Sequence, residues 1–122
     1  TIADKDKAEA LPLIRRFYEL GFNIEATSGT TKFLRDNGIR TRCLKKLSEG
    51  STEIFESIRK GHVNYVINTI DINQHSSRLD GYDIRRCAVE NNVTIFTALE
   101  TVSVLLDVLE EITLGVSTID AE

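Results

Sequence analysis

The chain has 122 residues, of which 41% are hydrophobic and 28% charged, and it carries a net charge of -4. Those proportions describe one globular domain, long enough to bury a real core. The acidic balance argues against general nucleic-acid binding, no apolar run nears the roughly 20 residues of a membrane span, and no signal-peptide pattern opens the chain.

Thr1-Ile2-Ala3 reads as the tail of a strand, which predicts a domain cut from a longer polypeptide with its first strand clipped. Asp4, Lys5 and Asp6 supply N-cap candidates for a helix over 7–20, whose Leu11, Leu13, Ile14, Phe17, Tyr18 and Leu20 fall at helical spacing before Gly21. Pro12 lies past the first turn, where it should remove one backbone bond and bend the helix. A short strand over 23–26 enters a hydroxyl-rich loop, and a helix follows over 30–37 until Gly38. A strand over 41–44, a charged loop over 45–50 and a helix over 52–60 come next. Residues 63–68 form the strongest strand signal, β-branched and nearly continuous in apolarity, as in parallel strands covered on both faces. The polar stretch 69–81 reads as the longest loop. A helix over 82–90, a strand over 93–97 and a helix over 99–112 complete the domain, the last with Val102, Leu105, Leu106, Leu109 and Ile112 on one stripe. The expected domain spans 1–114, and 115–122 is a small, polar C-terminal tail. Cys43 and Cys87 lie far apart without metal or redox spacing, which predicts reduced thiols and a cytoplasmic protein.

Alternating strands and helices force a parallel sheet with helices on both faces, and ligands of such sheets sit beyond the C-terminal ends of the strands. Those ends are the region of Ala3 to Lys5, Thr27, the loop of Lys45 and Lys46, Asn68-Thr69, and Thr97. The stretch 21–32 is the most informative. Gly29 lets a ligand approach the backbone, Thr27, Ser28, Thr30 and Thr31 offer hydroxyls, and the start of a helix attracts anions. This is what a phosphate site needs. The bland alternative is an ordinary turn in which Thr30 caps the helix.

Five motifs, in order, carry a family resemblance: Asp4-Lys5-Asp6-Lys7, Gly21-Phe22 with Ala26-Thr27-Ser28-Gly29-Thr30, Lys45-Lys46-Leu47-Ser48-Glu49-Gly50, Ile67-Asn68-Thr69, and Asp83-Ile84-Arg85-Arg86-Cys87-Ala88. They resemble the methylglyoxal synthase-like domain, and the stretch from Lys45 to Gly50 together with Ile58-Arg59-Lys60-Gly61 makes the chain similar, more narrowly, to the C-terminal allosteric domain of the carbamoyl phosphate synthase large chain. The resemblance implies a flavodoxin-like three-layer α/β sandwich, with a five-stranded parallel sheet flanked by helices. It also implies a regulatory nucleotide, uridine or inosine monophosphate (UMP or IMP), at the strand C-termini. By position, Lys7, Thr27 and Thr30 would hold the phosphate, Lys46 and Asn68 would complete the phosphate and ribose surroundings, and Thr97 would face a neighbouring synthetase domain near an ornithine site. The domain would catalyse nothing itself and hold no cofactor, with ATP, magnesium and potassium kept to the parent synthetase domains. Its partners would be those upstream domains and a small glutaminase subunit, in pyrimidine or arginine synthesis. Two departures stand out. Ile70 replaces a threonine that nucleotide-binding members carry, and the loop 71–81 lacks their Ser-Gly-Arg run.

Each site residue has a plainer reading. Lys7 and Lys46 could be solvated lysines, and Asn68 could satisfy loop backbone. Arg85 and Arg86 point about 100° apart on a helix, so pairing with a nearby carboxylate is the simpler role. His62 and His75 have no partner at metal spacing. The rival function is a methylglyoxal synthase-type lyase acting on dihydroxyacetone phosphate, which needs a carboxylate base. Asp71 could nominally serve as that base, but the Gly-Gly-Asp run of those enzymes does not occur here.

Overall fold

A computed structural model describes residues 1–45, 51–70 and 75–121, with side chains described over 1–45, 51–70 and 81–113. A 3-10 turn at Asp4–Asp6 leads into α1 (Lys7–Glu19), followed by β1 (Ile24–Thr27), α2 (Ser28–Asp36), β2 (Thr41–Leu44) and α3 (Glu53–Arg59). Then come β3 (Tyr65–Ile67), α4 (His75–Glu90), β4 (Thr94–Phe96) and α5 (Leu99–Ala121). Among the described residues no helix is long and apolar enough to cross a membrane.

The strands are parallel, as the alternation demands, but they form two pairs rather than the expected five-stranded sheet. Strand β1 pairs with β2, Ile24 opposite Thr41, and β3 pairs with β4, Tyr65 opposite Thr94. The physical reason lies in the bonding. Strands β1 and β3 each have a hydrogen-bonded neighbour on their outer edge, and on the inner side the described ladder bonds come only from Thr1. Its amino group donates to Ile67 O at 3.0 Å, and its carbonyl accepts from Thr69 N–H at 3.1 Å. Thr1 thus adds a single rung to the inner side of β3.

Side chains alternate across both pairs. Ile24, Tyr65, Ile67 and Phe96 pack with Phe17 of α1 and with Val102 and Leu106 of α5. Val66 and Ile95 face the other way, onto Ile54 and Ile58 of α3 and Ile84 and Cys87 of α4. Strand β1 and helix α2 join the first side through Ala26, Leu34, Ala10 and Ile14. The layers are helix, strands, helix. Arg16 clamps α1 to α5 by hydrogen bonds to Glu110 and to Asp107, the latter at 2.7 Å, and these bonds raise its pKa above the usual arginine value.

Helix ends follow their residues. Gly21, at φ +96, closes α1 with its N–H on Tyr18 O. Asn92 does the same for α4 at φ +57, a conformation asparagine tolerates better than most residues. Three boundaries differ from the sequence reading. Helix α2 begins at Ser28, so its N-cap is Thr27 and not Thr30. Helix α4 begins at His75, inside the stretch expected to be loop, and α5 continues to Ala121, through the expected tail.

Candidate functional site

The site is built where β1 turns into α2. Thr27 ends the strand with extended backbone (φ -72, ψ 163) and makes no side-chain capping bond. The first N–H groups of α2 have no carbonyl one turn back to bind, and they carry the positive end of the helix dipole. Ser28 and Gly29 at this end are exposed, whereas Thr27 and Thr30 are only 3% and 5% exposed.

Lys7, the first residue of α1, reaches over that end. A Cβ placed on Gly29 would lie 3.6 Å from Lys7 Nζ, and the ammonium is ion-paired with Asp4. The lysine side chain is mostly covered, while Asp4 is exposed. An ammonium beside a helix N-terminus meets charge of its own sign, which costs a few tenths to about 1 kcal/mol in the absence of an anion. Here Asp4 provides a counter-charge from the outer side. A phosphate at Gly29 would satisfy the ammonium and the orphan N–H groups together.

Residues 1–4 tie this end to the C-terminus of β3. Ile2 N–H donates to Thr30 Oγ1 at 3.4 Å, and Ala3 N–H donates to Thr69 Oγ1 at 2.8 Å. The Thr1 hydroxyl bonds Asn68 Oδ1, and Asn68 N–H donates to Phe96 O at 2.9 Å. Asn68 is 2% exposed, and its Nδ2 is the buried side-chain polar atom without a partner among the described residues. An orphaned buried donor costs about 1–3 kcal/mol. Nδ2 also explains Gly81 in α4, because a Cβ there would stand 2.8 Å from it.

The structure thus brings Lys7, Thr27, Thr30 and Asn68 to one end of the strands. Thr97 is exposed just beyond β4, and none of the described bonds links it to the other four. Lys46 and Asp71 lie outside the described residues. Thr31, counted in the sequence among the hydroxyls available to a ligand, instead donates to Ala26 O at 2.8 Å and is buried. Thr30 is not the helix cap; its oxygen is an acceptor for Ile2. Arg86 pairs with Glu90 at 3.0 Å, one turn along α4, as the simpler reading held, and that hydrogen bond raises its pKa. Sequence reasoning missed the Asp4 pairing, which the i, i+3 spacing to Lys7 would have signalled, and the role of Gly81, which nothing local reveals.

The family described as the MGS-like domain matches residues 9–97, well over half of the chain.

Proposed function

The chain belongs to the MGS-like domain family, and from that premise we propose that it is the allosteric domain of a carbamoyl phosphate synthase large chain. It binds a nucleoside monophosphate, UMP or IMP, and modulates carbamoyl phosphate synthesis for pyrimidine or arginine production. The observation that carries the ligand reading is the ammonium of Lys7 held over the N-terminus of α2 at Gly29. A phosphate is the group that resolves that like-charge contact. The orphaned Nδ2 of Asn68 adds a donor for the ribose or phosphate side, with Lys46 as a further cation by position.

In this reading the domain itself is not an enzyme and needs no cofactor. ATP, magnesium and potassium belong to the upstream synthetase domains of a cytoplasmic ligase that works with a small glutaminase subunit. Binding energy reaches those domains only if the effector prefers one arrangement of their interface, and Thr97 is the residue we place on that side. The family reading also carries a five-stranded parallel sheet, one strand beyond the four described.

Calorimetric titration of the chain with UMP, IMP and acetylglutamate tests the proposal, together with an assay of methylglyoxal release from dihydroxyacetone phosphate. Saturable nucleotide binding, weakened at least tenfold in Lys7→Ala and in Thr27→Ala/Thr30→Ala, is the expected result, since a hydrogen bond to a charged group contributes about 1.5–3 kcal/mol. A folded chain that binds neither nucleotide overturns it, whether or not it takes acetylglutamate, and so does turnover of dihydroxyacetone phosphate, which would make the protein a lyase.

A further inference from the structure

The outer edge of β2 carries a charge opposite to that of the whole chain. Residues 32–45 hold Lys32, Arg35, Arg40, Arg42 and Lys45 against one acid, Asp36, although the net charge of the protein is -4. Lys32 is paired with Asp36 at 3.0 Å. Arg40 is exposed and makes no ion pair among the described residues. Arg42 reaches only Glu25, at 3.8 Å, with 72% of its side chain exposed. Glu25 is mostly covered and already accepts from the Ser57 hydroxyl, so most of the Arg42 guanidinium donors remain available.

The backbone of the same edge is open at one place. Strand β2 pairs with β1 alone, which leaves its other side without a strand. Arg35 donates to Thr41 O at 3.0 and 2.8 Å, and Lys45 N–H donates to the Glu53 carboxylate at 2.8 Å. Both partners are side chains, and both positions are odd-numbered. With the period of two along a strand, the odd residues therefore turn their N–H and C=O groups away from β1. Cys43 lies midway, and its N–H and C=O have no side-chain or loop partner among the described bonds. The side chains follow the same period. Leu44 packs on Ile54 and Ile58 of α3, so Arg42 and Arg40 share the α3 side of the edge.

An open edge accepts another strand, and the charge along it selects which one. Positive side chains hold off a second copy of the same edge and attract carboxylates. A nucleic-acid strand has the right charge, but it offers no row of N–H and C=O groups to Cys43 and meets a protein of net negative charge. We propose that the outer edge of β2 is a docking surface for an acidic, extended polypeptide segment. The segment adds a short strand opposite Cys43 and sets its carboxylates against Arg40 and Arg42, within the positive field of Arg35 and Lys45. This surface is separate from the nucleotide site, which uses none of these residues.

The test titrates the 122-residue chain with an acetylated and amidated heptapeptide of alternating glutamate and valine, with glutamate at both ends. When extended, the peptide puts every carboxylate on one face and lays its central valine opposite Cys43. One control peptide has glutamine for each glutamate. Another has proline for the central valine, which removes the ladder donor. Chemical shifts give Kd, and exchange of individual amide hydrogens gives the register. In the free chain the Cys43 amide should exchange faster than those of Arg42 and Leu44. At peptide tenfold above its Kd, that amide should slow about tenfold. Affinity should fall about fivefold or more for either control peptide, and likewise for Arg40→Gln/Arg42→Gln with the original peptide. Absence of saturable binding overturns the proposal. A Cys43 amide already as protected as its neighbours overturns it by closing the edge. Equal binding of the glutamine peptide leaves the charge without a role, and equal binding of the proline peptide leaves no added strand; either result overturns it. Tighter binding of a single-stranded oligonucleotide would reassign the patch to nucleic acid. Self-association that protects Cys43 without peptide would place a second copy on the edge, and both of these outcomes also overturn the proposal.

Discussion

Gly29 separates the phosphate reading from simple helix chemistry. An added Cβ would meet Lys7 Nζ at 3.6 Å, an ordinary contact, so Gly29→Ala should leave stability unchanged or raise it slightly through helix propensity. The same methyl would occupy the space where an anion meets the first N–H groups of α2. We expect thermal unfolding to stay level while the calorimetric affinity for UMP or IMP falls at least tenfold. Retained affinity would move the anion away from α2. Gly81 behaves in the opposite way. Its Cβ would lie 2.8 Å from Asn68 Nδ2 and 3.2 Å from Ile70 Cδ1, and both neighbours are packed. Gly81→Ala should therefore cost about 1–3 kcal/mol in denaturant unfolding, although alanine is the better helix former by nearly 1 kcal/mol. A gain in stability would show that α4 yields at this point. Gly29 was legible as a glycine at a helix start because it follows a strand so closely, and it is exposed there. Gly81 was not, since its reason is a side chain 13 positions away in sequence.

At the scale of elements, strict periodicity was readable and composition misled. The stripe of α5 was plain in the sequence, and Val102 and Leu106 are indeed fully buried. Leu106→Ala should cost about 2–5 kcal/mol, as buried leucines do. Val104→Ala, at a residue that is itself 64% exposed, should change stability by less than about 0.5 kcal/mol. Equal effects in parallel denaturant titrations would mean that α5 packs on a different face. Helix α4 was harder to read. His75 to Gly81 includes two serines, an aspartate and a glycine, all weak helix formers, and invites a loop assignment. Its continuation carries Ile84, Cys87 and Ala88 into the core, and that packing outweighs local preference. The same holds at the far end, where Gly115 reads as a stop yet α5 runs to Ala121. One glycine inside a helix costs only about 1 kcal/mol. Strand β3 came out shorter than its apolar run because a strand is defined by its partners, and β4 supplies three residues opposite it.

For the whole molecule, parallel order and helices on both faces followed from alternation alone, whereas the division into two strand pairs could not. Pairing is a property of edges, and nothing in a local pattern says which edge meets which. That division would give the proposed effector site its leverage. Lys7 belongs to α1, Thr27 and Thr30 to the β1–α2 junction, and Asn68 to the end of β3, so a ligand touching all of them spans both strand pairs. Residues 1–3 already link the same places through Asn68, Thr30 and Thr69. A ligand that binds only the folded chain at 100 times its Kd stabilises it by about 2.7 kcal/mol. For a chain of this length that corresponds to a rise of about 10 °C in Tm. The rise should be carried by both strand pairs together, so amide exchange should slow in β1 and in β3 by similar factors. Protection confined to β1 and α2 would mean that the nucleotide sits on one half only. In that case Asn68 is a structural residue, and the orphaned Nδ2 has another partner.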